Sequence, residues 1–407
     1  LPIRITLWLP IIVCVVSILS YIGMVKDGIV SLLTSLYAIG IFLVKVKLKL
    51  LESKANDIYE GILKRRFSSG GNLMNKQFEY NICKRCVFLG GEKFKDKILF
   101  SYEQFCEHFV KSLHTTENDV IIVDRAKQIG QPILRNRGKS KVLTVVHADH
   151  YSADRVDDDT ILWNNYYEYE FSHANHIDAF VSSTDAQSKL LARQFEKYTS
   201  FSPKTVTIPV GSINELKIPT EKRKSYSLIT ASRLAKEKHI ELIIPAVIRA
   251  KQEIPELTLD IYGTGGELEL LQKLIEQNNA GDYINLKGHQ NLDEVYKNYE
   301  CYVSASMSEG FGLTLLEAVG SGLAMIGFNV PYGNPTFIKN NHNGVLIKKG
   351  EDETNEELIN KLVDSIVHLF NSNLTDMHEH SYKIASKYLS KKVENKWKKV
   401  IKEVLND

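Results

Sequence analysis

The stretch Ser225–Gly263, SYSLITASRLAKEKHIELIIPAVIRAKQEIPELTLDIYG, decides the fold. An apolar run closes on Thr-Ala-Ser, a charged turn follows, a helical segment intervenes, and a second apolar run ends in glycine. A continuous apolar strand is one covered on both faces, as in a parallel sheet. The spacing predicts a strand over SYSLITAS, a helix over Glu237–Gln252 and a strand over LTLDIYG, which together make a βαβ unit.

The same alternation runs on downstream. A helix over Glu267–Asn278 leads to the strand YINLKG and a short helix near Asp293–Tyr299. The strand CYVSAS then precedes a helix containing Glu317, and LAMIGF follows as another strand. From Glu353 to Asp407 the chain is helical by period and rich in lysine. Upstream, NDVIIVDRAK and KVLTVVHADHYS are apolar runs closing on polar residues. A helix over Thr160–Asn175, the strand IDAFVSST, a helix from Asp185 and the strand KTVTIPVG complete that half. The polar stretch 212–224, with Pro219, reads as a linker between the halves. From Leu51 to Lys141, short apolar runs mix with Gly-Gly pairs at 70–71 and 90–91, which suits a strand-rich, partly irregular segment. The fold class is therefore α/β, with two doubly wound domains facing a cleft.

Composition narrows the function. The chain has 407 residues, 43% hydrophobic and 25% charged, with 51 basic against 49 acidic side chains. A net charge of +2 makes no case for nucleic acid. Five cysteines do not make a disulfide scaffold. Cys83 and Cys86 form one C-x-x-C with no second Cys/His pair at zinc-finger spacing, so no metal is expected. From Ile5 to Val25 there is no charged residue, and a second uncharged run spans Gly28 to Val44. With Arg4 before them and KVKLKL after, a membrane hairpin would leave both ends in the cytoplasm. The competing reading is a truncated or altered terminus, since the chain begins at Leu1 rather than Met.

In open α/β sheets ligands bind beyond the carboxyl ends of the strands. After LITAS come Arg233 and Lys238, two cations near a helix start, where unaccompanied positive charge is unfavourable and a diphosphate would be welcome. After LDIY come Gly263, Gly265 and Gly266. Leu268 stands where a dinucleotide fingerprint needs its third glycine, so a tight turn, with or without a ligand, is the reading. After CYVSAS comes SEGFGLTLLEAVGSG, Ser308–Gly322. Gly310 and Gly312 allow close approach of a ligand, and the helix beginning near Gly312 aims free N–H groups at a phosphate. Glu309 could take hydroxyls of a transferred group and Glu317 a second set, such as a ribose diol; an amphipathic helix with one incidental acid is the alternative. His147 is the first polar residue past an apolar run, in a structural or a functional role. His150 is a weaker candidate. Asp157–Asp159 reads as dipole compensation for a helix from Thr160 rather than as a metal–diphosphate motif. No P-loop is present, and Cys301 has no evident base.

SRLAKEK followed by the E-x7-E of EGFGLTLLE resembles the retaining, GT-B fold glycosyltransferases of family 4. The resemblance implies Arg233 and Lys238 on the donor diphosphate, Glu309 on the sugar and Glu317 on the ribose. It places Gly263, Gly310, Phe311, Gly312 and Leu313 around the donor, and His289 and Gln290 at the edge of a uracil pocket. His147 would contact a donor-sugar hydroxyl and help position the acceptor, serving with Glu309 as the catalytic pair. VDRAKQIGQPILRNR, VVHADHYS, ILWNNYYEYEF, TIPVGSI and PYGNPTFI resemble, more narrowly, the subfamily of accessory Sec system glycosyltransferase A subunits, over roughly 119–407. That likeness implies transfer of N-acetylglucosamine from UDP-GlcNAc to Ser/Thr of serine-rich repeat adhesins, with retention and without a metal or other cofactor. It also implies a non-catalytic B subunit as partner and a cytoplasmic location, at the inner face of the membrane if the hairpin inserts. The implied domains are a hydrophobic segment (1–50), a β-rich insert (51–117), an N-terminal Rossmann-like domain (118–215), a donor-nucleotide domain (216–385) and a terminal helix (386–407). The chain departs from the family in two ways. The glycine-rich loop after the first strand is missing, hydrophobic runs standing in its place, and the insert is short. The rival functions are a wall teichoic acid α-glycosyltransferase, a non-catalytic glycan-binding chaperone subunit and, lower, an NAD-linked oxidoreductase.

Overall fold

The computed structural model describes residues 92–94, 97–99, 102–124, 127, 129–147 and 149–406. The apolar runs of the first 50 residues, both Gly-Gly pairs, and Cys83 and Cys86 lie outside them. The chain divides into two compact units between Phe109 and Val110.

Strands β1 (Glu92–Phe94) and β2 (Lys97–Leu99) pair antiparallel. Helix α1 (Tyr102–Ser112) follows within the segment expected to be β-rich. Its buried residues are Phe105, Cys106, Phe109 and Val110, a helical period that the nearby glycines obscure.

The first large sheet is parallel, in the order β3–β4–β7–β8. Among the described residues strand β3 (Val120–Val123) pairs with β4 alone, and Ile122 is 37% exposed. Helix α2 (Gly130–Asn136) leads to β4 (Lys141–Val146), buried from Val142 onward. The helix expected over Thr160–Asn175 gives way to β6 (Ile161–Trp163), which pairs as a hairpin with the preceding β5 (Tyr151–Val156), and only the short α3 (Glu168–Ser172) follows. Asp157 is the cause. Its carboxylate accepts the N–H groups of Asp159 at 2.9 Å and Thr160 at 2.6 Å, and the Thr160 hydroxyl at 2.8 Å. Such an Asx turn reverses the chain instead of opening a helix. Trp163 gains from this path, its ring meeting Phe171 at 4.9 Å and Phe195 at 5.6 Å. Then come β7 (Ala179–Ser182), α4 (Asp185–Tyr198), capped by the Thr184 hydroxyl, and β8 (Thr205–Thr207).

The expected linker has no long regular element, but it is not loose. Arg223 donates to the carbonyls of Lys297, Tyr299 and Ser321 at 2.7–2.8 Å.

The second sheet follows the expected alternation. Its elements are β9 (Ser227–Ala231), α5 (Ile240–Ala250), β10 (Thr258–Tyr262), α6 (Leu268–Gln277), β11 (Ile284–Gly288), β12 (Cys301–Ser304), α7 (Leu313–Gly320) and β13 (Ala324–Phe328). The short helix α8 (Gly333–Phe337) and strand β14 (Gly344–Ile347) complete it. The strands are parallel, in the order β11–β10–β9–β12–β13–β14, with β9 and β12 central. Alternate residues of β9 enter two different cores. Leu228 joins α5 and α9 (Asn355–Phe370), while Ile229 and Ala231 join α7 and α10 (Leu374–Ala385). Each such fully buried aliphatic side chain contributes about 1.5–3 kcal/mol.

The last helix, α11 (Ser390–Asn406), returns to the first sheet. Val393, Val400 and Val404 pack with Leu143, Val145, Ala179 and Val181 of β4 and β7. Among the described residues, no helix is long and apolar enough to cross a membrane.

Candidate functional site

The two central strands of the second sheet end alike, β9 on Thr230-Ala231-Ser232 and β12 on Ser304-Ala305-Ser306. Small hydroxyl residues at neighbouring strand ends leave a polar hollow between the turns that follow. It is lined by Thr230, Ser232, Tyr302, Ser304, Ser306 and Thr314, with Lys238 and Glu309 at its mouth. The Tyr302 hydroxyl donates to Ala231 O and meets the Thr314 hydroxyl, each at 3.0 Å.

Lys238 arrives by an irregular route. The helix expected from Glu237 starts only at Ile240, because Lys236–Lys238 forms a 3-10 turn and His239 takes a left-handed conformation, φ 48°. This turn sends the Lys238 ammonium to Glu309, 71 residues away in sequence, at 2.6 Å. Both side chains are mostly covered, at 15% and 20% exposure. A charge-assisted contact of this length in a sheltered place is among the stronger polar contacts a protein makes.

Glu309 is held from behind. Its N–H donates to Pro331 O at 3.1 Å, and its carbonyl accepts the N–H groups of Tyr332 and Gly333 at 2.7 Å each. Gly312 caps α7 at φ +85°, and a Cβ there would lie 2.5 Å from Leu315 Cδ1. Among the described residues no side chain caps α7 and no acid stands in its first turn, so its first amide groups and positive dipole end can take an anion.

The other sequence candidates fall in different places. Arg233 is 78% exposed and paired with Glu237 at 3.0 Å, outside the hollow. Gly263, at φ +137°, serves packing, since a Cβ would lie 1.8 Å from Ser232 O. Gly265 likewise clears Leu234 O, by 2.2 Å. These glycines let the β10 turn pack on the turn that carries Arg233. His289 and Gln290 are exposed after β11, Gln290 donating to Lys287 O at 2.9 Å. Glu317 lies on α7, half-buried. Burial raises its carboxyl above the ordinary range, the Tyr296 hydroxyl opposing the rise. The Phe311 ring is core, meeting Phe337 at 5.1 Å, whereas Leu313 is 53% exposed and Gly310 sits in the turn.

His147 ends β4 of the first sheet. Its Nε2 lies 2.8 Å from Asp124 Oδ1, at the end of the neighbouring β3, and its backbone N–H donates to the Tyr167 hydroxyl at 3.0 Å. His150 is fully buried against Gln194 at 2.6 Å. Burial pushes its pKa down to about 4, so it is a neutral core residue. Two contacts tie this region to the Glu309 turn. Ser308 Oγ donates to Asp149 Oδ2 at 2.8 Å, and the His150 and Tyr332 rings stack at 6.4 Å.

Sequence reading missed Asp124, the Ser308–Asp149 link and the hydroxyl lining. The repeated Thr-Ala-Ser and Ser-Ala-Ser at two strand ends was the available signal for the lining. The links across distant segments have none.

Two parallel α/β sheets with an anion-ready turn on the second are the architecture of the GT-B glycosyltransferases. Residues 212–373 match the family "Glycosyl transferases group 1". A curated relative from Streptococcus parasanguinis, the GtfA subunit of UDP-N-acetylglucosamine–peptide N-acetylglucosaminyltransferase, is 45% identical over 360 residues, covering 86% of this chain and 71% of the relative. The solved structure of the pneumococcal O-GlcNAc transferase GtfA, in complex with UDP and GlcNAc, is 49% identical with a TM-score of 0.74, covering 78% of this chain and 63% of that one. The structure of a GtfA/B complex is 45% identical with the same TM-score and coverage. The chain belongs to the GtfA-subunit family. It spans 62–63% of the length of four further curated relatives of the same description, 46–50% identical.

Proposed function

We propose that the chain carries the family's transferase chemistry, moving N-acetylglucosamine from UDP-GlcNAc to Ser/Thr hydroxyls of a polypeptide with retention of configuration. The observation that carries this reading is the Lys238–Glu309 pair over the hydroxyl-lined hollow, beside the open N-terminus of α7. With no donor bound, each charge satisfies the other. A donor would exchange that contact for two better ones: Lys238 takes the departing diphosphate and Glu309 the hydroxyls of the sugar. Lys238 and the amides of α7 then stabilise charge where it develops, in a site already organised to receive it. Arg233, on the mobile-length arm its exposure allows, would swing from Glu237 to the same diphosphate, with Glu317 on the ribose. His147, held by Asp124 and Tyr167, would position the acceptor beside the donor sugar.

The chemistry assigned to these cations needs no metal, so a chelator should leave the rate unchanged. The partner would be a B subunit, supported by the GtfA/B complex, and the acceptor a serine-rich repeat adhesin. The uncharged runs of the first 50 residues support a place at the inner face of the membrane, which fractionation of cells expressing the full chain would test. The test of the main reading is UDP-GlcNAc consumption with a Ser/Thr-rich peptide, with and without a B subunit, for wild type, Lys238→Ala and Glu309→Ala. Loss in both variants is expected, and near-normal rates would sink it. Feeding polyol-phosphate polymer instead of peptide separates the wall teichoic acid alternative, to which the 45–50% identical relatives lend no support.

A further inference from the structure

Glu170, on α3, is 2% exposed, and its Oε1 has no hydrogen-bond partner. Opposite it stands Gly130, the first residue of α2. A Cβ built there would lie 1.3 Å from Oε1. The carboxyl thus packs onto the backbone where α2 begins, in space that only glycine leaves.

Its neighbours give this position meaning. Tyr167, the residue before α3, accepts the His147 backbone N–H at 3.0 Å. Asp124, which holds His147 Nε2 at 2.8 Å, directly follows β3, the strand before α2 in chain order. Glu170 thus lies on the helix that Tyr167 precedes, against the first residue of α2.

Among the described residues, the charged and titratable groups on the surrounding elements face other partners or solvent. Arg135 of α2 turns to the Gln131 side chain. Lys127 stands 4.6 Å above the Tyr166 ring. His173 holds Tyr169 O, and His150 holds Gln194. Glu168 is exposed, and Asp124 is taken by His147. A buried carboxylate with no such partner is costly, whereas the uncharged acid is not. Burial accordingly raises the Glu170 pKa to about 7, its own backbone N–H opposing the rise.

The geometry points to Glu170 as a positioning residue for His147: its protonated carboxyl seats the start of α2 against α3, and ionisation parts them and shifts Tyr167, the residue that opens α3, from the His147 backbone N–H. This rests on the reading of His147 as part of the transfer site. Activity would then be full on the acid side of neutrality and fall as pH rises through the Glu170 titration.

Two measurements on the full chain test it. The first follows the Glu170 carboxyl carbon and the His147 ring nitrogens by NMR across neutral pH, without substrate. The second compares the pH profiles of UDP-GlcNAc turnover by wild type and Glu170→Gln, which keeps the shape of the acid and cannot ionise. We expect the His147 signals to move together with Glu170. We also expect wild-type turnover to drop about tenfold per pH unit beyond the titration, and the variant to match wild type at acid pH without that drop. Identical profiles, or His147 signals that stay fixed while Glu170 titrates, overturn the proposal. If Glu170→Gln fails to fold, the wild-type NMR titration decides by itself. A failure of the transferase reading shows separately, as no turnover by wild type at any pH.

Discussion

The two sheets build their working residues by different means. In the second sheet, Lys238 and Glu309 each come after a strand and are aimed by backbone: Lys238 by its own 3-10 turn, Glu309 by hydrogen bonds with Pro331, Tyr332 and Gly333. In the first sheet, His147 also follows a strand, but what fixes it comes from side chains elsewhere: Asp124 after the neighbouring strand, and Tyr167 from beyond a hairpin, before the helix that carries Glu170. A site aimed by backbone hydrogen bonds keeps its geometry while its sheet stands. A site propped from several directions responds to each prop, and with it to pH.

The largest effect expected is on the second sheet. Lys238→Ala or Glu309→Ala should lower kcat/KM for UDP-GlcNAc on the order of 100- to 1,000-fold. The double variant should be little worse than either single one, because residues that act as a unit are not additive. Additive losses would mean that the two charges work independently.

The second effect, on the first sheet, concerns stability. The Glu170 carboxyl titrates at about 7 folded against an ordinary 4.5. The folded state therefore holds its proton more tightly. The contribution is fully present below the ordinary value and is lost as pH rises through about 7. Glu170→Gln should gain on wild type over that window by up to about 3 kcal/mol in denaturant melts. A constant gap would show that the carboxyl is not buried as described.

Next comes Gly312→Ala, which places a Cβ on a φ of +85° and against Leu315. It should cost about 1–3 kcal/mol in stability and weaken UDP binding, since the same turn opens α7. An unchanged affinity for UDP would remove the α7 N-terminus from the anion site. The smallest effect is that of Ser308→Ala, which removes the 2.8 Å bond to Asp149 at an exposed position. A loss of at most about 1 kcal/mol is expected, with no change in the intrinsic pH profile.

Legibility in the sequence follows the same division. The strands and helices of the second sheet stand close to where the apolar runs put them, because a strand buried on both faces must be apolar throughout. Its edges were less clear: β14 was not assigned, and α5 starts late because His239 turns left-handed. In the first sheet the same reasoning placed β4, β7 and α4 but began a helix at Thr160, where the chain forms β6, the second strand of the β5–β6 hairpin. There the side chain of Asp157 outweighed the residues after it, an interaction that period counting does not register.

By itself, the sequence determined the parallel α/β class, the placing of Lys238, Glu309, Gly312 and His147 after strands, and the family those motifs resemble. These depend on burial pattern and on chain order, both of which are properties of short segments. Only the tertiary structure decided that Lys238 meets Glu309, that Arg233 stands apart, that α11 packs under the first sheet, and that the Glu170 carboxyl is buried against Gly130. Each of these is a meeting of side chains distant in sequence, set by how strands order themselves in a sheet and by which apolar faces cover one another.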